Sequence, residues 1–244
     1  MSDFFALYGC ICSGVTGDEH INGAVPGRVW ALAETEAHSG AAMFTSGASR
    51  PAILQDSLIG LTVSEAAAAV KSWNFEEASL ALAAANAFYN TPERMSALHC
   101  AEPFENYCTR GIDFRGRTVG IVGHMHGTEE MRRDAKDIFI LEREPREGDY
   151  PDPACDFLLP QCDIVLITGS SIINKTLPHL LDLCRDAYTI LVGPSVPMCP
   201  ALLDFGIDRL SGLVITDRAG MRERCAANAP GSPYAHGKTF LLVK

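Results

Sequence analysis

The sequence lacks several patterns that would assign it to a well-known class of protein. No run of lysine and arginine forms a basic stripe, and the 244 residues carry a net charge of −10, so no nucleic-acid surface is expected. No segment supplies the roughly 20 uninterrupted apolar residues of a membrane helix. We therefore expect the chain to bind neither nucleic acid nor membrane.

Cysteine is abundant, but its spacing excludes two common motifs. None of the nine cysteines lies in Cys-x-x-Cys, which argues against a zinc ribbon and a thioredoxin-type site. Cys10 and Cys12 lie in an apolar stretch and are interpreted as packing residues. Many unpaired cysteines are typical of a reducing compartment, and Asp3 stands where a signal peptide needs cationic residues. We therefore predict a cytoplasmic protein.

The first half of the chain has the pattern of strands followed by helices. The composition, 47% hydrophobic and 20% charged, suits a globular protein long enough for two domains. A glycine-rich turn is predicted at 17–27, followed by strands at 28–36 and 41–45. One helix begins at the N-cap Thr62, and a second spans residues 75–89. This order predicts an α+β domain.

The second half changes to short apolar strands that alternate with helices. Residues 91–116 show no clear periodicity and have the proline and glycine content of a segment between domains. The β-branched strands after it predict a parallel sheet buried on both faces; they lie at 118–122, 137–141, 163–168, 188–192 and, as the last strand, 213–215. We therefore predict an α+β domain at 1–110 and a Rossmann-like α/β domain at 111–244.

Ligands of such sheets lie outside the carboxyl ends of the strands, which directs attention to four loops. The first loop contains Gly123, His124 and His126, with glycines spaced as G-x-x-G-x-x-x-G rather than G-x-G-x-x-G. Gly123 either lets a ligand approach the backbone or makes a tight turn. The two histidines can share a metal if the loop is extended, although no third ligand is evident.

The second loop carries Glu142 and Arg143. Glu142 follows Gly123 by about 20 residues, the spacing of the ribose-binding acid in dinucleotide domains. Arg143 can hold a phosphate or a carboxylate. The alternative is a solvated charged loop.

The third and fourth loops are rich in small polar residues and in proline. Thr168, Gly169 and Ser170 enter a helix and, with Asn174 and Lys175, offer amides, hydroxyls and a cation to an anionic or polar ligand. In the fourth loop Gly193, Pro194 and Ser195 belong to a rigid, proline-rich wall. Ser195 lies outside a G-x-S-x-G elbow, which disfavours a serine nucleophile.

Taken together, the loop motifs resemble one known family. They are Val-Gly-His at 122–124, Leu-Glu-Arg-x-Pro at 141–145, Ile-Thr-Gly-Ser at 167–170, Gly-Pro-Ser at 193–195 and a helical Asn-Ala segment at 86–87. From residue 28 to about 220, the chain is similar to the heavy-metal chelation family, which began as a domain of unknown function. The resemblance implies an enolase-N-terminal-like domain, a Rossmann-like domain and a ligand site in the cleft between them.

The resemblance also implies which residues form that site. With Gly123 added from the loop itself, the predicted ligand-binding set is Asn86, Gly123, His124, Glu142, Arg143, Thr168, Gly169, Ser170, Asn174, Lys175, Gly193, Pro194 and Ser195. His124 and Glu142 are the predicted metal ligands, and a transition metal ion is the cofactor that they would hold. His126-Gly127 departs from the bulkier residues expected there. No catalytic residue is assigned, because enolase chemistry belongs to a barrel that this chain lacks.

Three functions fit these residues. The first is binding of a heavy metal, a metal chelate or a small anion in the cleft. The second is a Rossmann-like enzyme that uses a nucleotide, S-adenosylmethionine or a pterin-like cofactor; the missing fingerprint and the lack of an acid/base pair weaken it. The third is a sensor or carrier of an anionic metabolite. Exposed strand edges in the first domain would also allow a homodimer.

Overall fold

Two β-sheets of different kinds organise the protein. The computed structural model describes residues 5–47, 50–54, 57–101, 107–125, 129–228 and 232–244. A three-stranded antiparallel sheet is followed along the chain by a seven-stranded, mostly parallel sheet. The predicted order, an α+β part before a parallel-sheet α/β part, is confirmed. The boundary between residues 110 and 111, the two domain names and the homodimer stay predictions.

The small sheet has one strand more than the sequence indicated. Its order is β1 (Gly23–Pro26), β2 (Trp30–Glu34) and β3 (Ser39–Met43), with both pairs antiparallel. The segment 17–27 was predicted to be a turn, and that prediction is wrong for β1. Its glycine and proline hide the strand signal, and both residues are tolerated because β1 pairs only with β2 and lies at the edge of the sheet.

The helices α2 (Val63–Ala68) and α3 (Phe75–Tyr89) begin at caps that the sequence predicted. The N–H of Glu65 donates to Thr62 Oγ1 at 3.2 Å, and the N–H of Thr62 donates to Glu65 Oε2 at 2.8 Å. This reciprocal pair is a capping box, which satisfies two backbone donors that the first turn leaves open. Asn74 caps α3 through its side chain, whose Oδ1 accepts from the N–H of Glu77 at 3.1 Å.

Helix α3 packs closely against the small sheet. A side-chain carbon at Gly40 of β3 would overlap the backbone of Ala83 and Ala87. Glycine at 40 and the small alanines of α3 therefore let the helix axis approach the strand.

Two more helices belong to the first half, α1 (Ala6–Ser13) and α4 (Pro92–Ala97). The sequence predicted no element in 91–116, and α4 corrects this. Its signal is local: Thr91 accepts from the N–H of Arg94 at 3.3 Å, and Pro92 occupies the first helical turn. Six residues are too few to show a helical period.

The large sheet has the order β10-β9-β8-β7-β4-β5-β6. All neighbouring strands are parallel except β9 and β10. The strands are β4 (Thr118–Val122), β5 (Asp137–Glu142), β6 (Tyr150–Pro151), β7 (Ile164–Thr168), β8 (Tyr188–Val192), β9 (Arg209–Ile215) and β10 (Gly237–Val243).

Side chains of the central strands alternate between two apolar clusters. Val165 and Ile167 of β7 belong to the largest cluster, whereas Ile164 and Leu166 belong to a second one. The sheet is therefore buried on both faces, as its continuous apolar strands predicted. The helices of this half are α5 (Glu129–Asp134), α6 (Cys155–Leu158), α7 (Leu177–Leu183) and α8 (Arg218–Ala227). Within the described ranges no helix combines the length and apolarity needed to cross a membrane.

The end of the large sheet differs from the prediction. Residues 213–215 were expected to be the last strand, but β9 begins at Arg209 and β10 follows it in antiparallel pairing from Gly237↔Ile215 to Val243↔Arg209. β10 is an edge strand of mixed exposure that contains Lys238. Its apolar residues, 240–243, occupy only the second half of the strand.

Asn90, just after α3, joins the first half of the chain to the large sheet. Its Nδ2 donates to the carbonyls of Val196 and Leu213 at 2.9 and 3.1 Å, and its Oδ1 accepts from the N–H of Met198 at 2.9 Å. The side chain is buried. Three polar groups that would otherwise lack a partner are satisfied by one amide.

Candidate functional site

The candidate site lies at the carboxyl ends of β4, β5 and β7. β4 lies between the other two strands. The chain therefore continues from β4 to β5 on one side and later returns to form β7 on the other side. Parallel sheets bind ligands at such a reversal. Gly123 follows β4 directly, has φ +94°, and is so close to β7 that a side-chain carbon would lie 3.0 Å from Thr168 Cγ2. Glycine therefore allows the first loop to pack against the third.

His124 is the next residue, and carboxylates face both of its ring nitrogens. Glu142 Oε1 lies 2.9 Å from Nδ1, and Asp149 Oδ2 lies 2.7 Å from Nε2. The N–H of His124 also donates to Glu142 Oε1 at 2.6 Å. Two carboxylate acceptors match an imidazolium, which has two N–H donors.

Asp149 is held in its charged form by the loop around it. The N–H of Arg146 donates to Asp149 Oδ2 at 2.7 Å, and this bond is the main cause that lowers the pKa of the carboxyl from its ordinary value. The hydrogen bond to His124 and the charges of His124 and Arg146 act in the same direction. The side chain of Asp149 is only 7% exposed. The loops after β4 and β5 are thus joined by a charged hydrogen bond.

Glu142 uses both carboxylate oxygens within these loops. Oε1 accepts from His124, and Oε2 accepts from the N–H of Arg143 at 3.1 Å. An acid that binds a ribose needs a free oxygen for the ribose hydroxyls. In this geometry Glu142 positions the loops.

The two predicted metal ligands do lie together, because His124 and Glu142 are in contact. However, both ring nitrogens of His124 already face carboxylates. Across the described ranges no group of three or more His, Cys, Asp and Glu side chains is arranged to hold a metal ion. His126 lies outside the described residues.

Two arginines, Arg143 and Arg146, line the cavity at this end of the sheet together with Glu142, Glu144 and Asp152. Arg143 and Arg146 are exposed, and within the described part of the chain neither guanidinium makes a hydrogen bond or an ion pair. By contrast, Arg115, Arg117, Arg133 and Arg185 each pair with an aspartate. Arg143 and Arg146 are therefore available for an anionic ligand.

Hydroxyl and amide groups follow β7. Thr168 Oγ1 and Ser170 Oγ lie 3.1 Å apart, and Ser171 Oγ donates to the Thr168 carbonyl at 2.7 Å. Asn174 Oδ1 accepts from Thr176 Oγ1 at 2.7 Å. These bonds fix the turn in one shape, so its polar groups are preorganised before a ligand arrives.

A cavity of about 690 Å³ connects these features. Residues 43–46, at the end of β3, form one wall, and the strand-end loops form the others. Seven residues of the predicted set line it: Gly123, His124, Glu142, Arg143, Thr168, Ser170 and Asn174. Its volume is in the range that small-molecule sites occupy.

A second cavity of about 850 Å³ shares four lining residues with the first, namely Met43, His124, Arg146 and Thr168. Its other walls are largely apolar and include Trp30, Met131 and Tyr234. Gly193 and Pro194, from the fourth predicted loop, line this second cavity.

Four predicted residues line neither cavity. Asn86 is fully buried, and its Nδ2 donates to the carbonyls of Ala41 and Pro194 at 2.8 and 3.1 Å. Ser195 is buried and accepts from the N–H of Met43 at 2.8 Å. Gly169 packs against Val196, where a side-chain carbon would come within 2.7 Å of Val196 Cγ2. These three residues hold the cavity walls together rather than face a ligand.

Lys175 is the fourth residue that lines neither cavity. It was predicted to bind an anion, and its environment in the structure differs from that prediction more than that of any other residue in the set. Its Nζ donates to the carbonyls of Val70 and Ile173 at 2.8 and 2.9 Å, and the residue is 4% exposed. Burial lowers the pKa of Lys175 from 10.5 to about 8. Its position depends on contacts with the first half of the chain, which sequence spacing does not show.

Sequence reasoning did not single out Asp149, Arg146 or the wall at 43–46. Asp149 and Arg146 lie in the same charged loop as Glu142, so the signal was the loop as a whole. The wall at 43–46 comes from another sheet and has no sequence signal of its own.

Comparison with known proteins identifies the relatives of this fold. The sequence pattern of the DUF364 family, described as “Putative heavy-metal chelation”, matches residues 112–239. That stretch is more than half of the chain. The chain belongs to the DUF364 family. The pattern of DUF4213, which carries the same description, matches residues 10–89, and the family resemblance inferred from the loops is confirmed.

Solved structures of DUF364 proteins share the whole fold. A family member from Desulfitobacterium hafniense DCB-2 superposes with a TM-score of 0.90 and 33% identity, covering 100% of both chains. A Pyrococcus horikoshii member gives a TM-score of 0.82 at 17% identity, covering 98% of this chain and 100% of that one, and so shows the fold alone.

A curated relative matches over a shorter stretch. An uncharacterised protein of Methanocaldococcus jannaschii is 33% identical over 111 residues, which are 43% of this chain and 41% of that protein. The match thus spans about two fifths of the relative's length.

Proposed function

We propose that this DUF364 protein binds a small polyanionic molecule, such as an anionic metal chelate, in the cavity of about 690 Å³ at the strand ends. The observation that carries the proposal is the pair Arg143 and Arg146, which line the cavity and form no salt bridge with a carboxylate of the described residues. The chain has a net charge of −10. Glu142, Glu144 and Asp152 also line the cavity, so the attraction for an anion is local to the two arginines rather than a property of the whole cavity.

The ligand's own groups complete the coordination of any metal that it carries. His124 and Glu142 are occupied by each other and by Asp149 and backbone groups, and the described residues hold no three-ligand cluster. A chelate brings its donor atoms with it and presents carboxylates or phosphates outward. Arginine recognises such groups in bidentate geometry. Binding of a metal chelate agrees with the family description and does not require a metal site in the protein itself.

The polar turn after β7 would bind the same ligand from the opposite side. Thr168, Ser170 and Asn174 line the cavity and provide hydroxyl and amide groups. These neutral groups bond a carboxylate or hydroxyl but add no charge. The arginines would therefore supply most of the affinity and the turn would supply orientation.

An enzyme that binds a nucleotide or S-adenosylmethionine is the alternative, and it has less support. A free acid after β5 would favour ribose binding, but both oxygens of Glu142 accept hydrogen bonds from the protein. The apolar second cavity could still accommodate a ring. The binding test therefore includes nucleotides and S-adenosylmethionine.

The proposal is tested by thermal denaturation with citrate, iron(III)–citrate and nickel–EDTA as probes, and with free metal ions, nucleotides and S-adenosylmethionine as the competing ligands. A ligand that binds only the folded state at 100 times its Kd adds about 2.7 kcal/mol of stability. We expect the probes to raise the Tm of the wild type and to leave the Tm of the double variant Arg143→Ala/Arg146→Ala unchanged. Arg185→Ala is the charge control, because Arg185 pairs with Asp182 and lines neither cavity.

Two results would contradict this function. One is a double variant that keeps the full Tm shift, since the arginines would then not be the anion site. The other is a shift with free metal ions, or with nucleotides and S-adenosylmethionine, when neither citrate nor the chelates give one.

A further inference from the structure

A third cavity, of about 370 Å³, shares no lining residue with the other two. It lies where α1 meets the 3-10 turn at Pro200–Phe205, and its walls include Cys10, Tyr89, Arg94 and Cys199. Cys199 is 3% exposed, whereas Cys10 is half-buried. Two thiols from distant parts of the sequence therefore meet at one small cavity.

Cys199 shares the cavity with the side chains of Cys10 and Tyr89. The pKa of Cys199 is lowered from the ordinary value of 9.0 to about 6, first by the Cys10 thiol and then by the Tyr89 hydroxyl and the backbone at Ala201 and Leu202, while burial opposes the shift. A lowered pKa favours the thiolate, the nucleophilic form of cysteine.

The two side-chain donors also have acceptors on α1. Cys10 Sγ lies 3.0 Å from the Leu7 carbonyl, and Tyr89 Oη lies 2.7 Å from the Ile11 carbonyl. These bonds hold both side chains on α1 at the wall of the cavity that Cys199 also lines.

The remaining charges around the pair are few. Arg94 of α4 lines the cavity, and its charge lowers the pKa of Tyr89, although burial raises that pKa overall. Cys12 lies near Cys10, and Lys71 lies near Cys12. The structure describes all nine cysteines, and the pKa of every other one is raised, with burial the first cause for all but Cys10.

We propose that Cys10 and Cys199 form a peroxide-reactive dithiol. The Cys199 thiolate attacks one oxygen of a hydroperoxide, the O–O bond breaks, and sulfenate and water or alcohol are formed once the leaving oxygen takes a proton. The Cys10 sulfur then attacks the sulfenic acid sulfur, forming the disulfide and releasing water. The peroxide accepts two electrons, and the two thiols supply them.

The cavity provides the access that this reaction needs. Its volume is about ten times the ~30 Å³ that a water molecule occupies in the liquid, so a small hydroperoxide fits beside both sulfurs. The disulfide would link α1 to the segment after β8. In the reduced protein these two parts of the chain are in contact but are not covalently joined.

The test is peptide mapping by mass spectrometry after treatment with a small excess of hydrogen peroxide. In the wild type we expect a Cys10–Cys199 disulfide that dithiothreitol removes. In Cys10→Ser, dimedone should trap a sulfenic acid on Cys199, and in Cys199→Ser, Cys10 should stay reduced. Cys162→Ser, which removes a buried thiol elsewhere, should form the disulfide like the wild type.

A second measurement needs no variant. Iodoacetamide alkylation of Cys199 in the wild type should have a nearly constant rate from pH 7 to 9, because its thiolate is already formed. Cys100 is more exposed but burial raises its pKa, so its rate should rise about tenfold per pH unit. Equal pH profiles, or a peroxide product on other cysteines that spares Cys199, would overturn the proposal.

Discussion

His124 and Asp149 connect two loops that follow neighbouring parallel strands, through a 2.7 Å contact between Nε2 and Oδ2. Glu142 Oε1 lies 2.9 Å from the other ring nitrogen of His124, Nδ1. The part of the wall that His124 forms in the cavity of about 690 Å³ is therefore held by hydrogen bonds to carboxylates. Such a wall should respond to acid, and this response can be measured.

Asp149→Asn should lower the Tm at pH 7 by roughly 2–4 °C, because an amide replaces the charged acceptor of His124 and Arg146. The pKa of Asp149 is lowered in the folded protein. Its stabilisation is therefore complete above the ordinary carboxyl pKa of 3.8 and is lost as the pH falls through the lower folded value.

Urea unfolding from pH 7 down to pH 2.5 checks this pH dependence. The difference between wild type and Asp149→Asn should shrink toward zero in acid. Asp204→Asn, at an exposed aspartate with no hydrogen bond or ion pair in the described residues, is the charge control. A constant difference across the whole range would contradict the assignment.

Lys175→Met should reveal the cost of a buried ammonium group. The folded pKa of about 8 is below the ordinary 10.5, so folding releases a proton between these values and the wild type gains stability as the pH rises through them. Relative to Lys175→Met, the wild type should gain up to about 3 kcal/mol between pH 8 and pH 10.5. Unfolding at several pH values measures the difference, with exposed Lys136→Met as the control that should show no such trend.

Asn90→Ala should be strongly destabilising, by about 3 kcal/mol or more, because it leaves one buried N–H and two buried carbonyls without partners. Chemical denaturation gives the free energy of unfolding. Asn22→Ala, at an exposed position, should stay within about 0.5 kcal/mol of the wild type. If both variants have the same stability, the amide of Asn90 does not join the two halves as described.

Gly40→Ala and Gly9→Ala should change stability in opposite directions. At Gly40 the added methyl overlaps the backbone of Ala83 and Ala87, and such overpacking costs about 1–3 kcal/mol. At Gly9, inside α1, the methyl meets nothing within 4 Å, and alanine is the better helix former by up to about 1 kcal/mol. Thermal unfolding of both variants compares them directly, and a destabilised Gly9→Ala would show that α1 is strained.

Sequence alone predicted the parts of the fold that local patterns determine. The apolar runs of β4 and β8 and the helix Phe75–Tyr89 have the predicted bounds, because burial on both faces and a good cap leave a clear local signal. The strand-end rule also located the polar cavity, since seven predicted residues line it. β1 and β10 escaped prediction; both are edge strands, β1 is marked by glycine and proline, and only the second half of β10 is apolar.

Roles that depend on distant contacts were not visible in the sequence. Lys175 looks like a surface cation until Val70, more than a hundred residues earlier, supplies the carbonyl that binds its Nζ. Cys10 was interpreted as a packing residue, and no spacing rule relates it to Cys199, which lies 189 residues later. Burial and pairing of polar groups are properties of the folded chain.

The central position of β4 also governs the order in which the large sheet can assemble during synthesis. β4 pairs with β5 on one side and β7 on the other, so a growing chain can form the first pair long before residues 164–168 emerge from the ribosome. Until then one edge of β4 is open and apolar, the kind of surface that pairs with other chains. The pairing of β4 with β7 therefore has to wait until the 21 residues between β5 and β7 have been synthesised.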